Sequence, residues 1–379
     1  MDDVVHAARS AGAIGLDTEF FRERTYRARL CLAQISVGER VVLVDPLSNV
    51  DMRAVASLIA DSSVNVVVHA GGQDLELFHE QFGAEPQNIF DVQRAAGFAG
   101  HSASMSYGAL VGAVLGVTLR KGESYTDWCR RPLTAEQLDY AADDVRFLLP
   151  VAEHLRSRLA DLGRTEWVDE EMRAIEAAAS AAIGVDEAWR KVSGRGSLSG
   201  SQAAVLREVA WWREREAIAR DVPRGWIVKD PTLVEMARRA PTSKQALHRL
   251  RGINAKEIER SHKDLIAAIE KGRSAPAIKH GAEPPRPAQA RARMLSGLAD
   301  SLLRARCERA SIASELVTTR GELEALLAAV AANTETARSH RLLEGWRKDL
   351  VGDAIIGLAR GRLALKASNA SPYVEEVQL

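Results

Sequence analysis

Five residues in the front part of this chain have types and spacings that could do chemistry together. Asp17 and Glu19 stand two apart in Leu16-Asp17-Thr18-Glu19-Phe20, where an apolar run ends. On a strand, positions i and i+2 share a face, so both carboxylates point the same way. Side by side they repel, a cost that a cation between them removes and that solvation at a strand end also reduces. Asp74 follows the apolar stretch Val66-Val67-Val68 and the pair Gly71-Gly72, in the first turn of an expected helix. A carboxylate there complements the helix dipole even with no ligand, while the two glycines allow close approach of the backbone. Tyr140 and Asp144 are i and i+4 on a second helix, one that Thr134 and Gln137 would open as a capping box. They stack on one face, and Asp143, turned roughly 100° away, is expected in solvent.

Those residues need strands and helices to hold them, and the first 160 residues supply both. Ala13–Asp17, Leu30–Val37, Val41–Val44 and Val64–His69 read as strands; Met52–Ile59, Asp74–Phe82, Met105–Leu115 and Ala135–Leu159 read as helices. A strand meander followed by strand–helix alternation predicts an α/β domain with a mixed sheet. Beyond about residue 185 no strand is expected. A Gly/Ser-rich stretch, Lys191–Gly200, precedes one helical block, a Pro-rich stretch precedes a second, and the two look like a diverged repeat. Ala217–Val222 matches Ser311–Leu316 at an offset of 94, and Leu250–Gly252 matches Leu343–Gly345 at 93. The expected divisions are 1–185, 198–275, a linker at 276–290, and 291–367.

Composition narrows the class. With 379 residues, 46% hydrophobic and 27% charged, the chain is a multi-domain globular protein, neither fibrous nor disordered. No apolar run reaches the ~18 residues of a membrane span. The start, Met1-Asp2-Asp3, is acidic where a signal peptide is basic. Cys31, Cys129 and Cys307 lie far apart, fitting neither a disulfide framework nor a zinc cage, so a soluble protein of a reducing compartment, the cytoplasm, is expected. The zero net charge hides a gradient. Residues 1–160 hold 15 Lys+Arg against 21 Asp+Glu, and the remainder 36 against 30. A basic back half is compatible with a polyanionic partner and equally with surface drift.

Order and content together are more specific. Asp-x-Glu on a first strand, Asp at a later strand–helix junction and Tyr-x-x-x-Asp on a helix resemble the three motifs of the DEDD exonuclease superfamily. Asp17-Thr-Glu-Phe-Phe-Arg22 running on to Gln34, and Lys121-Gly-Glu-Ser-Tyr-Thr-Asp127-Trp128-Cys-Arg-Arg131 running into Tyr140–Val145, are similar to the ribonuclease D family. Tyr140 in place of a histidine one residue earlier, where Asp139 stands, puts the chain in the tyrosine branch. Both helical blocks resemble HRDC domains, and Gly345–Gly352 is similar to the end of the family's second one.

The resemblance implies a ribonuclease H-like α/β exonuclease domain with a mixed sheet, followed by two all-α HRDC-like domains. It implies Asp17, Glu19, Asp74 and Asp144 as ligands of two divalent ions, Mg²⁺ or Mn²⁺. Asp17 would bridge them, Glu19 and Asp144 would complete the first, and Asp74 would support the second through water. Four oxygen donors suit such hard cations, which would activate the attacking water and stabilise the leaving 3′-oxygen. Tyr140 would aim the water, since a phenol of pKa ~10 is a poor general base at pH 7. The expected activity is 3′–5′ release of 5′-mononucleotides from RNA, with tRNA precursors as substrate and a monomer as the working form. Arg22, Lys121, Arg130 and Arg131 are the phosphate candidates, with Arg24, Arg27 and Arg29 close by. His69 reads as a core histidine, and Trp211-Trp212-Arg213 as core of the first helical block, with base stacking as the alternative. A DNA exonuclease of the same superfamily remains open, because the site itself does not read a 2′-hydroxyl. A non-catalytic HRDC binding protein is disfavoured by the intact acidic set and by the lack of a helicase P-loop.

Overall fold

The computed structural model describes residues 1–22, 24–120, 126–181, 184–278, 284–334 and 339–379. Five strands, β1 (Ala13–Phe21), β2 (Arg29–Val37), β3 (Arg40–Val44), β4 (Asn65–Val68) and β5 (Ile89–Asp91), form one sheet in the order β3-β2-β1-β4-β5. The β1–β2 and β2–β3 pairs are antiparallel, and β1–β4 and β4–β5 are parallel, so the sheet is mixed as expected. β1 runs four residues further than its apolar stretch and carries both carboxylates within the ladder rather than beyond it. The three-residue β5 has too little pattern to be read from sequence.

The expected helix over Ala135–Leu159 is two, Ala135–Arg146 and Leu148–Asp161, broken at Phe147 (φ −107°). Pro150 explains the break: it has no N–H to give Arg146 and is tolerated only in a first turn. This broken helix lies against the face of β1 that carries Gly15, Asp17 and Glu19. A side chain on Gly15 would meet Ser36 Oγ at 2.3 Å and Leu148 Cβ at 3.1 Å, so glycine lets the helix come this close. Ser36 Oγ donates to the Val145 carbonyl (2.9 Å) at the same point. On the opposite face Ile14, Leu16, Val66 and Val68 pack with Leu75 and Phe78 of the Gly72–Phe82 helix.

The helical half departs from expectation in four ways. Val192 and Leu198, in the stretch read as a linker, are buried in the core of the first block together with Trp189. The Pro-rich stretch opens a helix, Arg286–Ala310, because Pro285 is its N-cap and Pro287 sits in its first turn, where no N–H is required. The C-terminus forms an antiparallel hairpin, β6 (Leu363–Ala367) with β7 (Val374–Gln378), where no strand was expected. Finally, the second block does not stand apart. Trp346 stacks on Trp167 (5.5 Å) and meets Phe98 edge-on (5.0 Å), and these residues share one apolar cluster with Val151, Leu155 and Leu326. The Ala313 N–H donates to the Gly97 carbonyl (2.9 Å), and buried Arg347 reaches Glu171 (2.5 Å).

The two blocks repeat the same element order. Left-handed Asp221 and Ser311 end the long helices, Arg224–Ile227 and Ser314–Val317 follow as short helices, and Asp230 and Arg320 begin the next. This register is 90, one helical turn from the 94 suggested by sequence. Sliding an amphipathic helix by about four residues keeps its apolar face in place, so the sequence match cannot fix the turn. No helix among the described residues is long and apolar enough to cross a membrane.

Candidate active site

β1 and the Ala135–Arg146 helix bring Asp17, Glu19 and Asp144 together, with one carboxylate oxygen from each within 4.8 Å of the others. Thr134 accepts from the Gln137 N–H, and the Gln137 side chain accepts from the Thr134 N–H, so the expected capping box starts this helix. Tyr140 and Asp144 lie one turn apart and hydrogen-bond through their side chains. Asp74 is buried in the first turn of the Gly72–Phe82 helix, and Thr18 Oγ1 donates to its Oδ1. Thr18 alternates to the face opposite Asp17 and Glu19, so the central residue of Asp17-Thr18-Glu19 ties the fourth carboxylate to the strand holding the other two. Spacing alone gave no sign of that bond.

Electrostatics mark the cluster as unsatisfied. Asp17 is pushed well above the usual carboxylate range, by burial first and then by Asp74, Asp144 and Glu19. Burial, then Asp144 and Asp74, raise Glu19 to about 8. Burial raises Asp144 to about 7 against the opposing hydrogen bond from Tyr140, and Asp74 to about 6 against the bond from Thr18. Three converging oxygens that resist ionisation, with no Cys or His in the group among the described residues, suit a hard divalent cation.

The neighbouring candidates separate by environment. Arg22 and Arg24 are exposed and line an open cavity of about 650 Å³ beside Glu19, with Phe20, Thr126 and Trp128 on its walls. Arg29 joins this cavity, while Arg27 lies on a second one facing the first helical block. Arg130 is exposed without an ion pair among the described residues, and Lys121 lies outside them. Arg131 is differently employed. Its guanidinium forks onto Asp45 (2.6 and 2.7 Å) and donates to the carbonyls of Cys31 (2.6 Å) and Trp128 (2.8 Å). It fastens the segment before the Asp144 helix to the sheet and is not presented to a phosphate.

The same segment holds Cys129, which is joined to Cys31 across 98 residues, with Cα atoms 5.1 Å apart; only Cys307 is a free cysteine among the described residues. This corrects the reading of the cysteines as unpaired, because sequence spacing could not show that β2 and this segment meet. Trp128 packs near Tyr140 (6.0 Å). Asp143 is not free in solvent but half-buried and paired with Arg146 (3.0 Å). His69 is the expected core histidine, its Nε2 donating to the Met105 carbonyl (3.0 Å) and its pKa lowered by burial. Gly71 serves internal packing: a Cβ there would sit 2.5 Å from Val68 Cβ. Of the Trp211-Trp212-Arg213 run, Trp212 and Arg213 are buried, while Trp211 lines a groove under Arg215 (4.6 Å) and Lys271 (5.2 Å).

Comparison with known proteins bears directly on this geometry. Residues 1–160 match the 3′–5′ exonuclease family and residues 202–269 match the HRDC domain. Ribonuclease D of Acidiphilium cryptum is 35% identical over 357 residues, covering 93% of this chain and 89% of that protein. Ribonuclease D of Escherichia coli is 37% identical over 270 residues, 71% of this chain and 72% of that one. The crystal structure of Escherichia coli RNase D, described as an exoribonuclease involved in structured RNA processing, superposes with a TM-score of 0.81 at 32% identity, covering 95% of this chain and 96% of that chain. The catalytic core of RRP6 from Trypanosoma brucei (TM-score 0.53, 24% identity, 72% and 76% covered) shares the fold. The α/β exonuclease domain and the HRDC match behind it agree with relatives along most of the chain, which belongs to the ribonuclease D family of 3′–5′ exoribonucleases.

Proposed function

We propose that this exoribonuclease trims structured RNA precursors such as tRNA from their 3′ ends, using Asp17, Glu19, Asp74 and Asp144 to hold two Mg²⁺ or Mn²⁺ ions. The observation that carries the reading is the convergence of Asp17, Glu19 and Asp144 within 4.8 Å, with Asp74 tied to the same strand. Bound there, the cations would neutralise the carboxylates and supply the charge stabilisation and acidified water that phosphodiester hydrolysis needs. The chain's own groups do the rest. Tyr140, anchored on Asp144, directs the attacking water at phosphorus. The water oxygen bonds to phosphorus, the bond to the 3′-oxygen of the preceding nucleotide breaks, and that oxygen leaves as a hydroxyl. The terminal residue departs as a 5′-mononucleotide. Arg22, on the cavity beside Glu19, and exposed Arg130 contact backbone phosphates, as Lys121 would from its place in the sequence.

The HRDC match at 202–269 and the recurrence of its element order after residue 286 support two such domains, the second built into the exonuclease core. The protein works as a cytoplasmic monomer on an RNA body held partly by these helical blocks. The test is to incubate full-length protein with a 3′-extended tRNA precursor, unstructured RNA and single-stranded DNA, each with Mg²⁺, with Mn²⁺ and with chelator. Metal-dependent trimming of the precursor to a discrete end is expected. Preference for DNA would overturn the choice of substrate, and cleavage in chelator would overturn the metal assignment.

A further inference from the structure

The arginine segment beside the carboxylates is fastened from an unexpected direction. The β1–β2 register shifts by one residue between Glu19 and Phe20 and then pairs on to Phe21 and Arg29, so the connecting chain, residues 22–28, begins where the ladder ends. Among its described residues, Thr25 Oγ1 donates to the Arg27 carbonyl (2.6 Å), Gln81 Nε2 donates to the Ala28 carbonyl (2.5 Å), and Ala28 is buried at the edge of the sheet's core. Within it, Tyr26 reaches toward the first helical block. There Tyr26 Oη donates to Glu214 Oε2 (2.8 Å), and its backbone N–H to Asp221 Oδ1 (3.1 Å). The ring packs on the edge of that block's core.

Both acceptors are fixed. Glu214 is 2% exposed and flanked by Arg213 (3.5 Å) and Arg224 (3.6 Å), and Arg213 is itself bonded to Asp230 (2.6 Å) and the Val228 carbonyl (3.1 Å). Asp221 is the left-handed residue that ends the Gly200–Arg220 helix. Burial, then the bond to Glu214, push the Tyr26 phenol up to about 12, so it stays a donor throughout the working range.

We infer that Tyr26 is a positioning residue through which the first helical block sets the segment carrying Arg22 and Arg24, and so the fit of the RNA backbone beside Glu19. This rests on the proposed function. The helical block acts on the site through a mechanical tie as well as by any grip of its own on RNA. Losing the tie should weaken RNA engagement without touching the carboxylates.

The test uses full-length Tyr26→Phe, which keeps the ring and its packing. KM and kcat are measured on a short unstructured RNA, together with the metal concentration for half-maximal rate and the melting temperature. The expected result is a rise in KM of about tenfold, the scale of one hydrogen bond to a charged acceptor. The kcat and the metal half-saturation stay at wild-type values. In a background already carrying Arg22→Ala and Arg24→Ala, Tyr26→Phe should add no further rise, because it acts through those side chains. An unchanged KM would overturn the inference, as would a full additive effect in the arginine-less background. Either outcome, obtained with a wild type that shortens RNA, leaves the functional reading standing; a wild type that does not shorten RNA overturns both.

Discussion

Asp144→Asn is expected to stabilise the metal-free protein at pH 8 and to do almost nothing at pH 5. The carboxylates meet within 4.8 Å. At an effective dielectric of ~20, a fully ionised pair at that distance repels by about 3 kcal/mol. Asparagine removes Asp144's share of this and weakens the side-chain bond with Tyr140, a loss of ~1 kcal/mol. The balance is a gain of ~1–3 kcal/mol, or a rise of several degrees in melting temperature. The sign with pH follows from the raised values. Glu19 at about 8, Asp144 at about 7 and Asp74 at about 6 hold protons in the fold that the unfolded chain, with carboxylates near 4, has already released. Metal-free stability therefore falls as pH rises from about 4 to 8, and the variant gains only where the wild type is charged. Thermal melts in chelator at pH 5 and pH 8, repeated with Mn²⁺, make the measurement. With Mn²⁺ the order should reverse, because only the wild type retains the full ligand set. A variant no more stable than wild type at pH 8 in chelator, or equally stabilised by Mn²⁺, would refute the reasoning.

Three further outcomes are expected. Tyr140→Phe should lower kcat by a factor corresponding to ~1–4 kcal/mol of barrier, less than loss of any carboxylate, with metal half-saturation nearly unchanged; wild-type rates across pH would reduce Tyr140 to packing. Arg131→Ala should lower the melting point by the equivalent of ~1–3 kcal/mol, because it strands Asp45 and the Cys31 carbonyl, and leave the salt dependence of RNA binding intact. A slope flattened by ~0.7 at unchanged stability would make it a phosphate ligand instead. A chain ending near residue 181 should be poorly folded and bind hydrophobic dye, since Trp167 and Phe98 lose Trp346; a sharp cooperative melt would show that the shared core is dispensable.

The convergence of the acidic residues was legible because it lies in residue types at fixed local spacings. Period two set Asp17 beside Glu19, period 3.6 set Tyr140 above Asp144, and a capping box fixed where that helix starts. What escaped the sequence depends on chain segments meeting in space. Arg131 looked like a phosphate ligand until Asp45, 86 residues away, occupied it. Cys31 and Cys129 looked unpaired for the same reason, and Thr18 gave no hint of reaching Asp74. Prolines misled at residues 276–290, where Pro285 and Pro287 begin a helix rather than maintain a linker. Packing crosses the expected divisions at Trp346, whose apolar character was plain but whose partners, Phe98 and Trp167, lie in the exonuclease part of the chain.

The most direct measurement follows one RNA labelled at its 5′ end, incubated with full-length protein or Asp17→Ala, in Mg²⁺, Mn²⁺ or chelator, with products resolved at single-nucleotide length and the released species identified. With wild type and metal, the labelled strand should shorten stepwise from its 3′ end, releasing 5′-mononucleotides, while Asp17→Ala and the chelated enzyme leave it intact. Internal cuts, immediate loss of the 5′ label as a mononucleotide, or an active Asp17→Ala would contradict a metal-dependent 3′–5′ exoribonuclease built on this carboxylate cluster.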